Sequence, residues 1–530
     1  MRIVIKSVFY PAKWPSFSKL KLAGSLAVAL SLSTAAIAAT EPSPTPTKPI
    51  PPLTGPAPAQ TQTDTFHNEA ALLPQDAITH HTGIFDKRKI SYTTHTGTLT
   101  LRDDEGAPTA RVFYVAYTQD GVDPAHRPVA YFFNGGPGAG TAYLHLGAAG
   151  PSVLSFPNGN PADGANAQLT PNTESWLAAA DLVFIDAPGT GWSIPTDAKK
   201  AAKTFYGVKQ DAHAFAKAIQ LWAQSNNRQI SPRYLVGESY GGLRAIEVAD
   251  ALAQEQNILV NGIIMISPAL DMTLLDTAND ILATSFVLPS LEASQLALQH
   301  KLTPENAAGH LDSAYHYAIG PYLSTLANAP LAGNAAQDFY EDVAAHSGIP
   351  LETVVKESGM LQPEAHDVRS RGGRLYSLYD GTFSIADPFP EGVENGASPD
   401  PILDGFTRAY GSAFEQYAAT NLNFRTPLTY SLLNMKVNEA WDYRDGSTPL
   451  IRPIPTLRRL LALNPTLRVF IANGYYDLVC PFASSRWVAE HIPVGRNRIA
   501  LHTYPGGHML YIRADSRAAL AQDAKTFMTP

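Results

Sequence analysis

Four short runs of the chain are apolar at every position: Val129-Ala130-Tyr131-Phe132-Phe133, Leu182-Val183-Phe184-Ile185, Tyr234-Leu235-Val236 and Ile263-Ile264-Met265-Ile266. A strand with one solvated face alternates, so unbroken runs predict strands covered on both faces, as in a parallel sheet flanked by helices. Between the second and third runs, Val208, Ala212, Phe215, Ala216, Ile219 and Ala223 recur at helical spacing and predict an amphipathic helix. Upstream, Ile90 to Tyr117 alternates apolar and polar residues and is broken at Gly97 and Gly106-Ala107-Pro108. That pattern predicts an antiparallel opening to the sheet. Leu467 to Ala472 and Ile499 to Tyr504 read as two further strands near the C-terminus. Alternating strands and helices predict a doubly wound, mostly parallel α/β sheet. The rhythm fails between residues 271 and 438, a mixed, helix-rich stretch broken by Pro and Gly. We expect an inserted cap there, with residues 65–270 and 439–530 forming the sheet-bearing body.

The N-terminus changes the picture only outside that body. Arg2, Lys6, Lys13, Lys19 and Lys21 precede an apolar core from Leu22 to Leu32, and Ala36-Ile37-Ala38 fits a small-residue cleavage site. Residues 1–39 are therefore expected to act as an export leader, with an uncleaved anchor left open, and the protein to be periplasmic or secreted. The apolar core is short for a membrane span, and no later segment reads as one. Eight prolines between Pro42 and Pro58 predict an extended tether over residues 40–64, because such a stretch cannot build a core. The single cysteine, Cys480, excludes an intramolecular disulfide, so the fold depends on its core. A net charge of −8 and the absence of a basic stripe give no reason to expect nucleic acid.

The chemistry begins where the third apolar run ends. Gly237-Glu238-Ser239-Tyr240-Gly241 sits between a strand and a helix-forming stretch, the setting that makes G-x-S-x-G a nucleophile elbow. Asp477 follows the Leu467–Ala472 strand, and His508 follows the Ile499–Tyr504 strand. The order Ser239, Asp477, His508 is that of the α/β-hydrolase fold. All three residues are needed. A serine hydroxyl is weakly nucleophilic at neutral pH, a histidine must take its proton, and a carboxylate must fix the histidine tautomer. Phe133-Asn134-Gly135-Gly136-Pro137-Gly138 adds a glycine-rich loop whose N–H groups can approach a developing oxyanion.

Taken together, Asn134 to Gly138, Gly237 to Gly242, Asp477 to Cys480 and Gly507-His508-Met509 resemble the serine carboxypeptidases, the family of carboxypeptidase Y and its bacterial relatives. The resemblance runs from about Ile90 to the C-terminus and is thin across the cap. Asp186 to Ser193 resembles the family's Asp-Gln-Pro loop, without the glutamine and one residue shorter. The resemblance implies Ser239 as nucleophile, His508 as general base and then acid, and Asp477 as its orienting partner. It implies an oxyanion hole from the N–H groups of Gly136 and Tyr240. It also implies a substrate site at Asn134, Gly135 and Glu238, where Asn134 and Glu238 bind the terminal carboxylate, and Cys480 matches a free cysteine near the substrate. Eukaryotic members carry a second glutamate just before the Gly-Pro that here is Gly150-Pro151, and this chain has Ala148 in its place.

The implied activity is removal of C-terminal residues from peptides with a free carboxylate, with no metal or cofactor. An exported esterase or acyltransferase using the same three residues is the alternative, since the elbow does not choose the acceptor. A non-catalytic binding protein is disfavoured by the intact serine, acid and histidine. No membrane partner beyond the leader is expected, and a homodimer stays open.

Overall fold

The computed structural model describes residues 69–156, 163–392, 398–444 and 452–529. The expected leader and tether lie outside the described residues. The central sheet is built from β1 (Ala77–Phe85), β2 (Arg88–Arg102), β3 (Pro108–Gln119), β4 (Val129–Phe133), β5 (Asp181–Ile185), β6 (Arg233–Glu238), β7 (Gly262–Ile266), β8 (Arg468–Gly474) and β9 (Ile499–Tyr504). Their spatial order is β1-β2-β3-β5-β4-β6-β7-β8-β9, with Ile194–Pro195 pairing to β3. From β1 to β5 the pairing is antiparallel, and from β5 to β9 it is parallel. Register sets Phe133 beside Gly237, and Glu238 beside Ile266, so the elbow opens at the carboxyl end of the sheet.

The apolar runs serve two cores because successive side chains on a strand point to opposite faces. Val129, Tyr131, Phe133, Leu235, Ile263 and Met265 pack under α1 (Val208–Ser225) and α2 (Tyr240–Glu255). Ala130, Phe132, Phe184, Val236, Ile264 and Phe470 pack on the other face. This is the α/β-hydrolase sheet that the sequence predicts. Strand β1 was not foreseen. It alternates, but Ile78 and Ile84 point outward, 58% and 64% exposed, and Phe85 at its end is its one large apolar residue in the core.

Residues 271–438 hold α3 (Ile281–Leu298), α4 (Asn334–Ser347), α5 (Ala409–Asn421), several shorter helices and a three-stranded sheet of Ser370–Arg371, Arg374–Tyr376 and Ser384–Ala386. Among the described residues, α3 alone is long and apolar enough to qualify as a span by composition. This corrects the expectation that no segment after the leader reaches that length and composition, but α3 lies mostly buried, with Val287, Leu288 and Leu291 packed on Tyr322, Val343 and Val354. The insert is not uniform. Tyr410, Phe414 and Tyr417 of α5, with Phe424, join the same core as Phe132 and Phe184 of the sheet.

Candidate active site

Strand β6 and helix α2 are joined by Ser239 alone, whose backbone stands at φ 60° and ψ −127°. A non-glycine residue there is strained, and such strain persists only where the surroundings impose it. The Ser239 N–H donates to the Ile266 carbonyl at 3.0 Å, and the Ser239 carbonyl accepts from the N–H groups of Gly242 and Ala269 at 2.9 and 3.0 Å. Gly237 is obligatory on steric grounds, because a Cβ there would lie 1.9 Å from the Gly241 carbonyl oxygen. Tyr240 opens α2, so its N–H has no carbonyl one turn earlier to bond. Gly135 presses against that same turn: a Cβ on it would come 2.6 Å from the Tyr240 nitrogen. The glycine-rich loop and the helix start are thereby held edge to edge.

Asp477 and His508 arrive on the loops that leave β8 and β9. His508 Nδ1 and Asp477 Oδ2 are 2.9 Å apart, and both side chains are buried. Asp477 Oδ1 accepts from the N–H groups of Val479 and Cys480 at 2.8 and 2.9 Å, which fixes the carboxylate. Burial favours the neutral imidazole, but the bonded Asp477 carboxylate overcomes it and holds His508 well above its ordinary value. The ring takes a hydroxyl proton only in its neutral form, so the same pairing that raises its basicity also shifts the range of that form to higher pH. Ser239 and His508 face a common cavity together with Asn134, Gly135, Gly136, Glu238 and several apolar side chains.

Glu238 is buried between Ser239 and the glycine-rich loop. Asn134 Nδ2 and the Tyr511 hydroxyl both donate to it, the latter at 2.8 and 2.9 Å to its two oxygens. Burial pushes the carboxyl up to about 7, against the pull of His508, Tyr511 and Asn134. Asn134 is itself anchored: its Oδ1 accepts from the Leu144 N–H at 3.1 Å, and Arg244 donates to its carbonyl oxygen. Arg244 is fully buried in α2 and bridges to Asp211 of α1, with Nε to Oδ2 at 2.6 Å.

The family model for serine carboxypeptidases matches residues 85–500, which include Ser239 and Asp477 and stop eight positions short of His508. The chain belongs to the serine carboxypeptidase family. Relatives include serine carboxypeptidase-like 22 of Arabidopsis thaliana, 21% identical over 75% of this chain and 77% of the relative. Serine carboxypeptidase-like 8 of the same plant is 29% identical over 30% of this chain and 34% of that relative, so the alignment spans about a third of its length. Among solved structures, Kex1Δp, a prohormone-processing carboxypeptidase from Saccharomyces cerevisiae, superposes with a TM-score of 0.53 over 82% of this chain and 91% of its own, at 16% identity. That likeness concerns the fold.

The surroundings of the site add features that only the fold brings together. Tyr143, Tyr379, Leu403, Leu433, Met435 and Met509 give the cavity an apolar wall, and Asn438 lines it too. Residues 430–438 also clamp the glycine-rich loop, through Asn434 N–H to the Gly138 carbonyl at 2.8 Å and Asn438 Nδ2 to the Pro137 carbonyl at 3.0 Å. Asp186 is buried under the loop, where its Oδ1 accepts from the Thr141 N–H and hydroxyl and from the Tyr430 hydroxyl at 2.7, 2.6 and 2.9 Å. Leu378 to Gly381 form a strap over the other two loops. The Tyr379 carbonyl accepts from the His508 N–H at 2.6 Å, the Leu378 carbonyl from the Leu478 N–H at 3.0 Å, and the Gly381 N–H donates to the Tyr476 carbonyl at 2.9 Å. Cys480 is fully buried among Tyr240, Leu243 and Val479 and is not part of the cavity wall. Burial raises its thiol, and the adjacent His508 acts in the opposite sense.

Proposed function

We propose that this chain is a serine carboxypeptidase that removes the C-terminal residue of peptides. The observation that carries the reading is the Asn134–Glu238 pair, set in the same cavity as Ser239. A carboxyl group buried beside a nucleophile has little to offer an ester or amide with a blocked end. Protonated, it donates a hydrogen bond to a terminal carboxylate; ionised, it repels one.

The steps follow from the positions. Ser239 Oγ attacks the last peptide carbonyl while His508 Nε2 takes its proton, and the oxyanion turns to the N–H groups of Gly136 and Tyr240. The C–N bond breaks as His508 returns the proton to the leaving amine. The free amino acid departs, leaving the acyl group on Ser239. Water then attacks that ester, its proton passing through His508 to the Ser239 oxygen as the shortened peptide leaves. Asp477 holds the imidazole tautomer throughout. The basic and apolar leader supports export, which would make peptides outside the cytoplasm the substrate pool.

The test compares hydrolysis of an N-blocked dipeptide with a free C-terminus and of its C-terminal amide, between pH 4 and 9. The free acid should be strongly preferred below about pH 7 and lose that advantage above it. Equal rates throughout would instead support an esterase or acyltransferase. Absence of fluorophosphonate labelling at Ser239 would support a non-catalytic protein.

A further inference from the structure

Ala148 occupies the position at which the family resemblance implies a second glutamate in eukaryotic members. It lies on the short helical turn His145–Ala149, is buried, and brings no polar side-chain atom. What faces Glu238 instead comes from the opposite end of the chain. Tyr511 sits in the turn Leu510–Ile512, three residues beyond His508, and is fully buried. Its hydroxyl bridges both Glu238 oxygens, while the phenol itself stays outside the cavity wall. The ring is seated on the Ala148 turn: a Cβ on Gly147 would come 2.5 Å from Tyr511 Cε2. Arg517 Nη1 donates to the Tyr511 carbonyl at 3.2 Å and holds its backbone.

We propose that Tyr511 is a positioning residue of the carboxylate site, its phenol standing in for the carboxyl that Ala148 cannot supply and turning Glu238 toward the substrate terminus. This rests on the exopeptidase reading above. The substitution has a chemical consequence. Two carboxyls share protons and titrate as a coupled pair, whereas a phenol keeps its proton across the working range. The Tyr511 hydroxyl is held well above its ordinary value, by burial and then by Glu238. The other titratable groups around Glu238 are His508, Asp477, Cys480, Tyr143 and Tyr410. Of these, none is a second carboxyl sharing its proton, since Asp477 is committed to His508.

Tyr511→Phe tests this, because it keeps the ring on Gly147 and removes only the donor. Two signed changes are expected together. KM for the free-acid dipeptide should rise roughly tenfold more than KM for the amide, as for a lost hydrogen bond to a charged group. The alkaline limb of kcat/KM for the free acid should move to higher pH, because the phenol had stabilised ionised Glu238. A general loosening of the fold would raise both KM values and leave the limb in place. Gly147→Ala, which pushes the ring from behind, should give the same two changes in smaller measure and serves if Tyr511→Phe fails to fold. If the wild type prefers the free acid and both variants keep its acid-to-amide ratio and limb, the role of Tyr511 is overturned while the exopeptidase reading stands. If the wild type shows no such preference, the exopeptidase reading falls first. Infrared titration of the Glu238 carboxyl then still reports whether Tyr511 shifts it.

Discussion

Ser239, Asp477 and His508 each sit on a turn leaving the carboxyl end of a sheet strand, whereas Tyr379, Leu403, Leu433 and Met435 reach the same cavity from the inserted segment. The two regions are built differently. The strand-end turns are marked by local sequence and fixed by backbone hydrogen bonds and by glycines that admit no side chain, some of those bonds coming from the strap at Leu378–Gly381. The insert supplies side chains on separate elements, held by packing and by a few main-chain contacts such as the Leu378–Gly381 strap. In the proposed reading the bond-making groups thus belong to the strand ends, and much of the apolar surface that would meet substrate side chains belongs to residues 271–438, with Tyr143 and Met509 added from the body. Mutations on the two sides should therefore fail in different ways.

The largest effects are expected on the body side. Ser239→Ala should abolish fluorophosphonate labelling and lower kcat by about four orders of magnitude or more, for peptide and ester alike. Asp477→Asn should lower kcat by about 10⁴-fold with little change in KM, since the imidazole loses the partner that sets its tautomer. Single-turnover kinetics on one peptide and one ester would check both. A loss confined to one substrate class would contradict the division between body and insert.

Next in size is Glu238→Gln, on the body side and, in the proposed reading, a group that binds the substrate terminus rather than reacting. The free-acid substrate should lose its fall in kcat/KM near pH 7. Stability should change with a definite sign. Burial raises this carboxyl from 4.5 to about 7, so between those values the native state holds a proton that the unfolded chain has released. Stability therefore falls as pH rises through that window, by about 3 kcal/mol in all. Glu238→Gln should remove that slope, with little difference from wild type near pH 4 and a gain near pH 8, read from denaturant unfolding.

Much of the sheet-bearing body was legible in the sequence because its signals are local. A fully apolar run such as Val129–Phe133 has few structural alternatives, and Ser239 between Gly237 and Gly241 dictates its own turn. Asp477 and His508 could be placed because each ends a readable strand. Tyr511 could not, since nothing local marks a tyrosine whose partner stands 273 positions earlier. Arg244 reads as an ordinary polar position on α2, and only the fold shows it buried against Asp211 and Asn134. The apolar wall was invisible because Leu403, in the turn Pro401–Gly405, and the Leu433–Met435 segment meet only once the chain is packed. Strand β1 was missed because its outward Ile78 and Ile84 mimic nothing in a half-buried strand.

On the insert side the effects should be smaller and selective. Leu433→Ala and Met435→Ala each remove apolar surface from the cavity wall, where Glu238 and His508 are the only ionisable acid and base groups among the lining residues apart from tyrosines. Each should lower kcat/KM for dipeptides with large apolar side chains by roughly tenfold, and change glycine- or alanine-containing dipeptides far less. A panel of N-blocked dipeptides would show it. Equal losses across the panel would mean that these residues shape the glycine-rich loop, which Leu432 and Asn434 touch directly, rather than the side-chain pocket.

The smallest effect sharpens the comparison from the body side. Cys480 follows Asp477 closely in sequence, yet it is fully buried and outside the cavity wall. A thiol so placed reacts only when the surrounding structure opens, and its raised pKa further lowers the thiolate fraction. Reaction with an aromatic disulfide reagent should therefore be at least about 10³-fold slower in the native protein than in denaturant. A substrate analogue should protect it only as far as it stabilises the fold. Activity should fall in step with modification, because the Cys480 N–H is one of the two backbone donors that fix Asp477. Fast reaction blocked by a small occupant of the cavity would place the thiol at the substrate instead. The wall of the body behind His508 would then be as adaptable as the insert that faces it.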